Sequence, residues 1–144
     1  MKSDLGKLSN LTMSTVGQIS RYVNQWLERA LSSTDTSLQE FKIIGLLMGS
    51  DDITQKTLAE YLSVRPATLS VAITNLENKG YIQRVTSQED KRVNYIRLTK
   101  NVDMEQGVDI LHGLEDKATK GITKKDLAVT QRVLNQIAQN LKED

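Results

Sequence analysis

The chain contains no cysteine, and that one absence removes disulfides, thiolate metal sites, cysteine nucleophiles and thiol-based redox sensing. Histidine is nearly absent too: a zinc site would need two or three carboxylates converging on His112, and no spacing pattern brings them there. Asp109, Glu115 and Asp116 lie near it in sequence, where charges on a predicted helix form its wet face. No metal and no cofactor is expected. The same scarcity weighs against an enzyme, since there is no Ser-His-Asp set, no Gly-rich phosphate loop and no carboxylate pair singled out by its surroundings. No catalytic residue is assigned. A single proline and eight scattered glycines leave no linker, low-complexity stretch or internal repeat. No apolar run approaches the roughly 18 residues that span a bilayer, and no signal-peptide pattern opens the chain, so a cytoplasmic protein without membrane contact is expected.

What is present suffices for one compact domain: 144 residues, 38% of them hydrophobic. The formal charge of +1 looks too neutral for a nucleic-acid binder, but its distribution matters more than its sum. Residues 53–100 hold eight basic side chains against four acidic ones, whereas residues 101–144 hold six against eight. The basic footprint lies in the middle of the chain.

Apolar periodicity gives successive helices with one β interruption. Val16, Ile19, Val23, Trp26, Leu27 and Ala30 recur at three- and four-residue steps, a stripe that must be buried against something. Ser37 and Glu40 form an S-x-x-E capping box opening a helix over about 38–48. Thr54 is a good N-cap for a short helix with Leu58, Ala59 and Leu62 inward. After the turn at 63–65, Pro66 fits the first turn of another helix, where its missing N–H has no intrahelical partner to lose. Leu69, Ile73 and Leu76 give that helix its buried face, and Gly80 supplies the left-handed residue that stops it. Segments 81–85 and 93–98 then read as strands of a hairpin around the polar loop 86–92. A helix over about 102–119 follows. Thr123 and Asp126 open a last one, whose Leu127, Leu134, Ile137 and Leu141 resemble a helix-pairing seam.

Helix, short turn, helix and two-stranded wing, in that order, spell a winged helix-turn-helix. A major groove about 12 Å wide admits one α-helix, provided its outer face is small and polar enough to approach base edges. Pro66, Ala67, Ser70, Val71 and Thr74 fall on that outer side with no bulky or acidic group among them. Ala59 suits the point where the two helices cross, and Ser63 stands where many such motifs place glycine for positive φ, a departure of modest cost. Arg65, at the helix entrance, is positioned for a phosphate or a guanine edge; Thr68, Ser70 and Thr74 are candidates for base or phosphate hydrogen bonds. Lys79 and Arg84 either steer DNA by charge, lie idle on the surface, or hold the wing in place.

The stretch ITQKTLAEYLSVRPATLSVAITNLENKGYIQRVTSQEDKRVNYIRLT resembles the winged-helix core of the multiple antibiotic resistance regulator (MarR) family. Leu76 to Arg84 is similar to the family's L-E-x-K-G-L-V-x-R, and Asp90-Lys91-Arg92 with Arg97-Leu98-Thr99 is similar to its D-x-R wing and closing strand. The motif similarity covers about a third of the chain; the flanking helices agree in order and length only. The resemblance implies a mainly α fold with a small β-wing: a DNA-binding lobe at about 53–100, with dimerisation helices at about 10–33 and 101–144. It implies a homodimer on a palindromic double-stranded DNA operator, helix 66–79 in the major groove and wing 85–93 in the minor groove, and commonly repression relieved by a small-molecule effector. Arg92 then maps onto the family's minor-groove arginine, Asp90 orients it, and Lys91 lies between them. An effector cleft, on the family's habit, would draw on Tyr22, Trp26, Phe41 and His112, although core or dimer packing explains each of them as well. The competing reading is a winged-helix module that binds protein rather than DNA. That version should carry acidic or large apolar groups on the outer face of its second helix, a pattern this chain lacks.

Overall fold

Four of the six described helices begin on an oxygen-bearing cap: Ser37, Thr54, Asp103 and Thr123 each accept from a backbone N–H three residues on. The computed structural model describes residues 8–142. Among them the order is α1 (Thr12–Leu31), α2 (Leu38–Leu47), α3 (Gln55–Leu62), α4 (Pro66–Asn78), β1 (Ile82–Thr86), β2 (Asn94–Leu98), α5 (Met104–Ala118) and α6 (Lys124–Lys142). The fold is thus mainly α with a small β-wing, a winged helix-turn-helix preceded and followed by helices. The expected capping box at α2 is complete, with Glu40 returning the bond to the Ser37 N–H at 3.1 Å. None of the described helices is long and apolar enough to cross a membrane.

Two compact units part between Val108 and Asp109. In the first, Ile43, Leu58, Leu69, Ile73, Leu76 and Ile96 are fully inaccessible and cluster with Leu47 and Ile82. Complete burial of each such side chain stabilises the fold by roughly 1.5–3 kcal/mol, so this cluster holds α4 against α2, α3 and the hairpin. The hairpin is antiparallel with Ile82 opposite Leu98 and Thr86 opposite Asn94, one residue later on its first strand than the sequence pattern placed it. Ile53 and Thr54 extend it: Ile96 N–H donates to the Ile53 carbonyl at 2.9 Å, and Thr54 bridges Tyr95. Two residues carry no period-2 signal, so this third edge was invisible in the sequence.

The helix-turn-helix is punctuated twice by one device. Ser63 sits in the left-handed region at φ 52° and Gly80 at φ 80°. At each, the left-handed residue donates back to a carbonyl three residues earlier and its successor closes a wider bond, Val64 to Ala59 and Tyr81 to Leu76. Only Gly80 takes this conformation without Cβ strain, and a Cβ there would also meet Asn101 Nδ2 at 3.3 Å. Gly80→Ala is therefore expected to destabilise the lobe by about 1–2 kcal/mol, and Ser63→Gly to be neutral or stabilising by under about 1 kcal/mol. Urea denaturation of both variants checks this; equal effects would contradict it.

In the second unit no residue of α6 is buried, and Val129, Val133, Leu134 and Leu141 are exposed. The first half of α1 behaves alike. Val16 and Ile19 are exposed, and burial of the stripe begins only near Leu27 and Leu31. These apolar faces are left open by a single chain.

Candidate nucleic-acid interface

Pro66 at the first position of α4 and the inward pull of Leu69, Ile73 and Leu76 fix which side of the helix faces out. On that side Pro66, Ala67, Thr68 and Thr74 are exposed, Val71 is 63% exposed, and Ser70 is half-buried. Arg65 precedes them as the extended N-cap residue, exposed and in no ion pair among the described residues. Asn75 also lies exposed, one helical turn beyond Val71. The pattern of small outer residues drew attention away from it, yet the four-residue step from Val71 was legible, and a carboxamide can bond an adenine edge bidentately.

The wing is shaped by two short polar side chains. Ser87, buried to 9% exposure, accepts through Oγ from the Glu89 and Asp90 N–H groups, and its own N–H closes the loop onto the Val93 carbonyl. Asp90 then accepts from the Arg92 backbone N–H at 3.0 Å and clamps the guanidinium through both oxygens at 3.1 Å. The Arg92 side chain is nevertheless 90% exposed, so it stands in solvent with its direction set by Asp90. The role of Ser87 was missed in the sequence because a lone serine in a polar loop carries no signal.

Arg92's hydrogen bonds hold the Asp90 carboxyl below the usual carboxylate range. A lowered folded value means the clamp is in place above the ordinary carboxylate pKa of about 3.9 and is lost as pH falls through the lowered value. The Arg92 Nε–H resonance is expected to stay constant from about pH 7 to pH 5 and to move only below about pH 4. A resonance that does not move as the carboxyl is protonated would show that the clamp does not form.

Lys79 and Arg84 resolve into structural partners. Lys79 Nζ donates to both carboxylate oxygens of Glu40 at 2.9 and 3.0 Å and to the Asp35 carbonyl. Arg84 pairs with Glu77 at 3.1 Å and reaches Thr74 Oγ1 at 3.4 Å, bracing the wing's first strand against α4. Arg97 donates to the Asp51 carbonyl at 3.0 Å. Lys56, Arg65, Lys91 and Lys100 remain exposed and outside any ion pair among the described residues.

Of the four residues expected around an effector cleft, Tyr22 is exposed and its hydroxyl accepts from Gln18 Nε2 at 3.1 Å, while Trp26 and Phe41 are half-buried. His112 belongs to the second unit and is exposed. A cleft of about 710 Å³ on the first unit is lined by residues of the turn between α1 and α2, and by none of these four.

Residues 36–93 match the model of the MarR family. The chain is 29% identical over 112 residues to the HTH-type transcriptional regulator SarZ of Staphylococcus haemolyticus (strain JCSC1435), covering 78% of this chain and 71% of that protein. Among solved structures it is similar to Streptococcus pneumoniae FabT in complex with DNA, at 27% identity and a TM-score of 0.72, with 90% of this chain and 94% of FabT covered. It also matches wild-type MarR in apo form from E. coli at 21% identity and a TM-score of 0.74, over 88% of this chain and 96% of the other. At that identity the likeness speaks for the fold alone.

Proposed function

We propose that the chain is a DNA-binding transcriptional regulator of the MarR family, whose model residues 36–93 match, rather than an enzyme, and that it binds a palindromic double-stranded DNA operator as a homodimer. Helix α4 enters the major groove through Arg65, Pro66, Ala67, Thr68, Ser70, Val71 and Thr74, and the wing around Asp90, Lys91 and Arg92 enters the minor groove. The observation that carries this reading is the pairing of an outer α4 face free of acidic groups with a wing arginine that is 90% exposed yet aimed by its neighbour. The groove assignments follow from dimensions and charge: an α-helix fits the wider groove, and a lone guanidinium suits the narrow, electronegative one.

The second copy is supported by the open apolar faces of α1 and α6. Val16 and Ile19 on the first, and Val129, Val133 and Leu134 on the second, are exposed in one chain, and an exposed apolar helix face marks an interaction site. A twofold dimer imposes its symmetry on the DNA, with half-sites about 10 base pairs apart or a multiple of that. A small-molecule effector that relieves repression completes the proposal.

Selection from a randomised duplex library tests it. Enriched sequences should contain an inverted repeat, and the protein should sediment as a dimer. A selected motif without twofold symmetry, or no enrichment, would contradict it.

A further inference from the structure

Lys79 closes the recognition helix, and its ammonium is turned away from the exposed face of α4 toward the start of α2. There it meets Glu40, whose residue is 6% exposed and whose carboxylate already caps the Ser37 N–H. The same ammonium donates to the Asp35 carbonyl. Two residues on, the Tyr81 hydroxyl donates to Asp35 Oδ2 at 2.7 Å. The last residue of the recognition helix's cap and the first residue of the wing segment are thus tied to a single stretch, residues 35–40, some 40 residues earlier in the chain.

We propose that Glu40 and Lys79 are positioning residues for DNA binding: the ion pair between them fixes the C-terminal end of α4, and so the angle at which its outer face meets the groove. This rests on the DNA-binding reading above. The ammonium's donors are committed to Glu40 and Asp35, so Lys79 has little left to offer a phosphate. Glu40 is nearly buried, and a buried carboxylate deprived of its counter-charge must recover solvation or another donor by movement of the elements around it. The hydrophobic contacts of α4 are made by Leu69, Ile73 and Leu76 along one face; these allow rocking about the helix axis that a two-oxygen ion pair at one end opposes.

Glu40→Gln is the informative variant, because glutamine keeps the cap on Ser37 while removing the charge that holds Lys79. Affinity for a duplex taken from the selection should fall about tenfold for Glu40→Gln and about tenfold for Lys79→Gln, with the double variant no worse than either. The salt slope of binding should be unchanged in all three. A positioning role requires that result, whereas a phosphate contact by Lys79 in each copy would lower the slope by about two units in Lys79→Gln and leave Glu40→Gln at or above wild-type affinity. Either of those outcomes, or affinities within twofold of wild type, overturns the proposal. If the wild-type protein binds no duplex, the DNA-binding reading fails, and amide exchange then judges the strut alone. Glu40→Gln should speed exchange in the last turn of α4 and at Tyr81 while sparing α3; equal protection in both proteins overturns it.

Discussion

Val71→Glu is expected to lower affinity for the selected duplex by at least about 100-fold while leaving the melting temperature within a few degrees of wild type. At 63% exposure the valine contributes nothing to the core cluster, which is built from Leu69, Ile73 and Leu76 on the opposite side. In complex, however, this position sits near the middle of the face proposed to enter the major groove. A carboxylate there faces two rows of phosphates at close quarters, and juxtaposed like charges across an interface cost several kcal/mol, each 1.4 kcal/mol or so being tenfold in affinity. Fluorescence anisotropy gives the dissociation constant and circular dichroism the melting curve. An unchanged dissociation constant would remove α4 from the interface.

Arg92→Ala should weaken binding by roughly ten- to hundredfold, in line with the 1–3 kcal/mol or so of a well-made base contact. The arginine's hydrogen bonds all go to Asp90, two residues away, and 90% of its side chain is in solvent, so its removal costs the fold little and the proposed dimer nothing. The loss should be largest on duplexes with A·T-rich segments where the wing lands, because a narrow minor groove concentrates negative potential. Asp90→Asn is expected to cost less, since it frees the guanidinium without deleting it. A wild-type affinity for Arg92→Ala would take the wing out of the mechanism.

Much of the fold was legible because its punctuation is local. The Ser37 and Glu40 box, Thr54 as cap, Pro66 at a first helical turn and Gly80 at φ 80° are each dictated by backbone bonds within a few residues. Ser63 shows the limit of that logic: the left-handed position was anticipated, and the chain accepts serine there at φ 52°. Features set by distant partners were not legible. For Lys79 and Arg84 the sequence left steering of DNA, an idle surface and bracing of the wing equally open, until the fold brought Glu40 and Glu77 to them. The short edge at Ile53 and Thr54 exists only because β2 offers it a partner. The α1 stripe announced burial, yet its first half is open in one chain, since an apolar stripe states that it will be covered without saying by which copy.

The measurement closest to the central claim is the affinity of the wild-type protein for its selected duplex across a salt series. Exposed cations at Lys56, Arg65, Lys91 and Arg92, doubled by the proposed twofold symmetry, predict a steep linear fall of log affinity with log salt, with a slope of about −7. A sample that is dimeric yet binds with no salt dependence, or does not bind, would contradict the account.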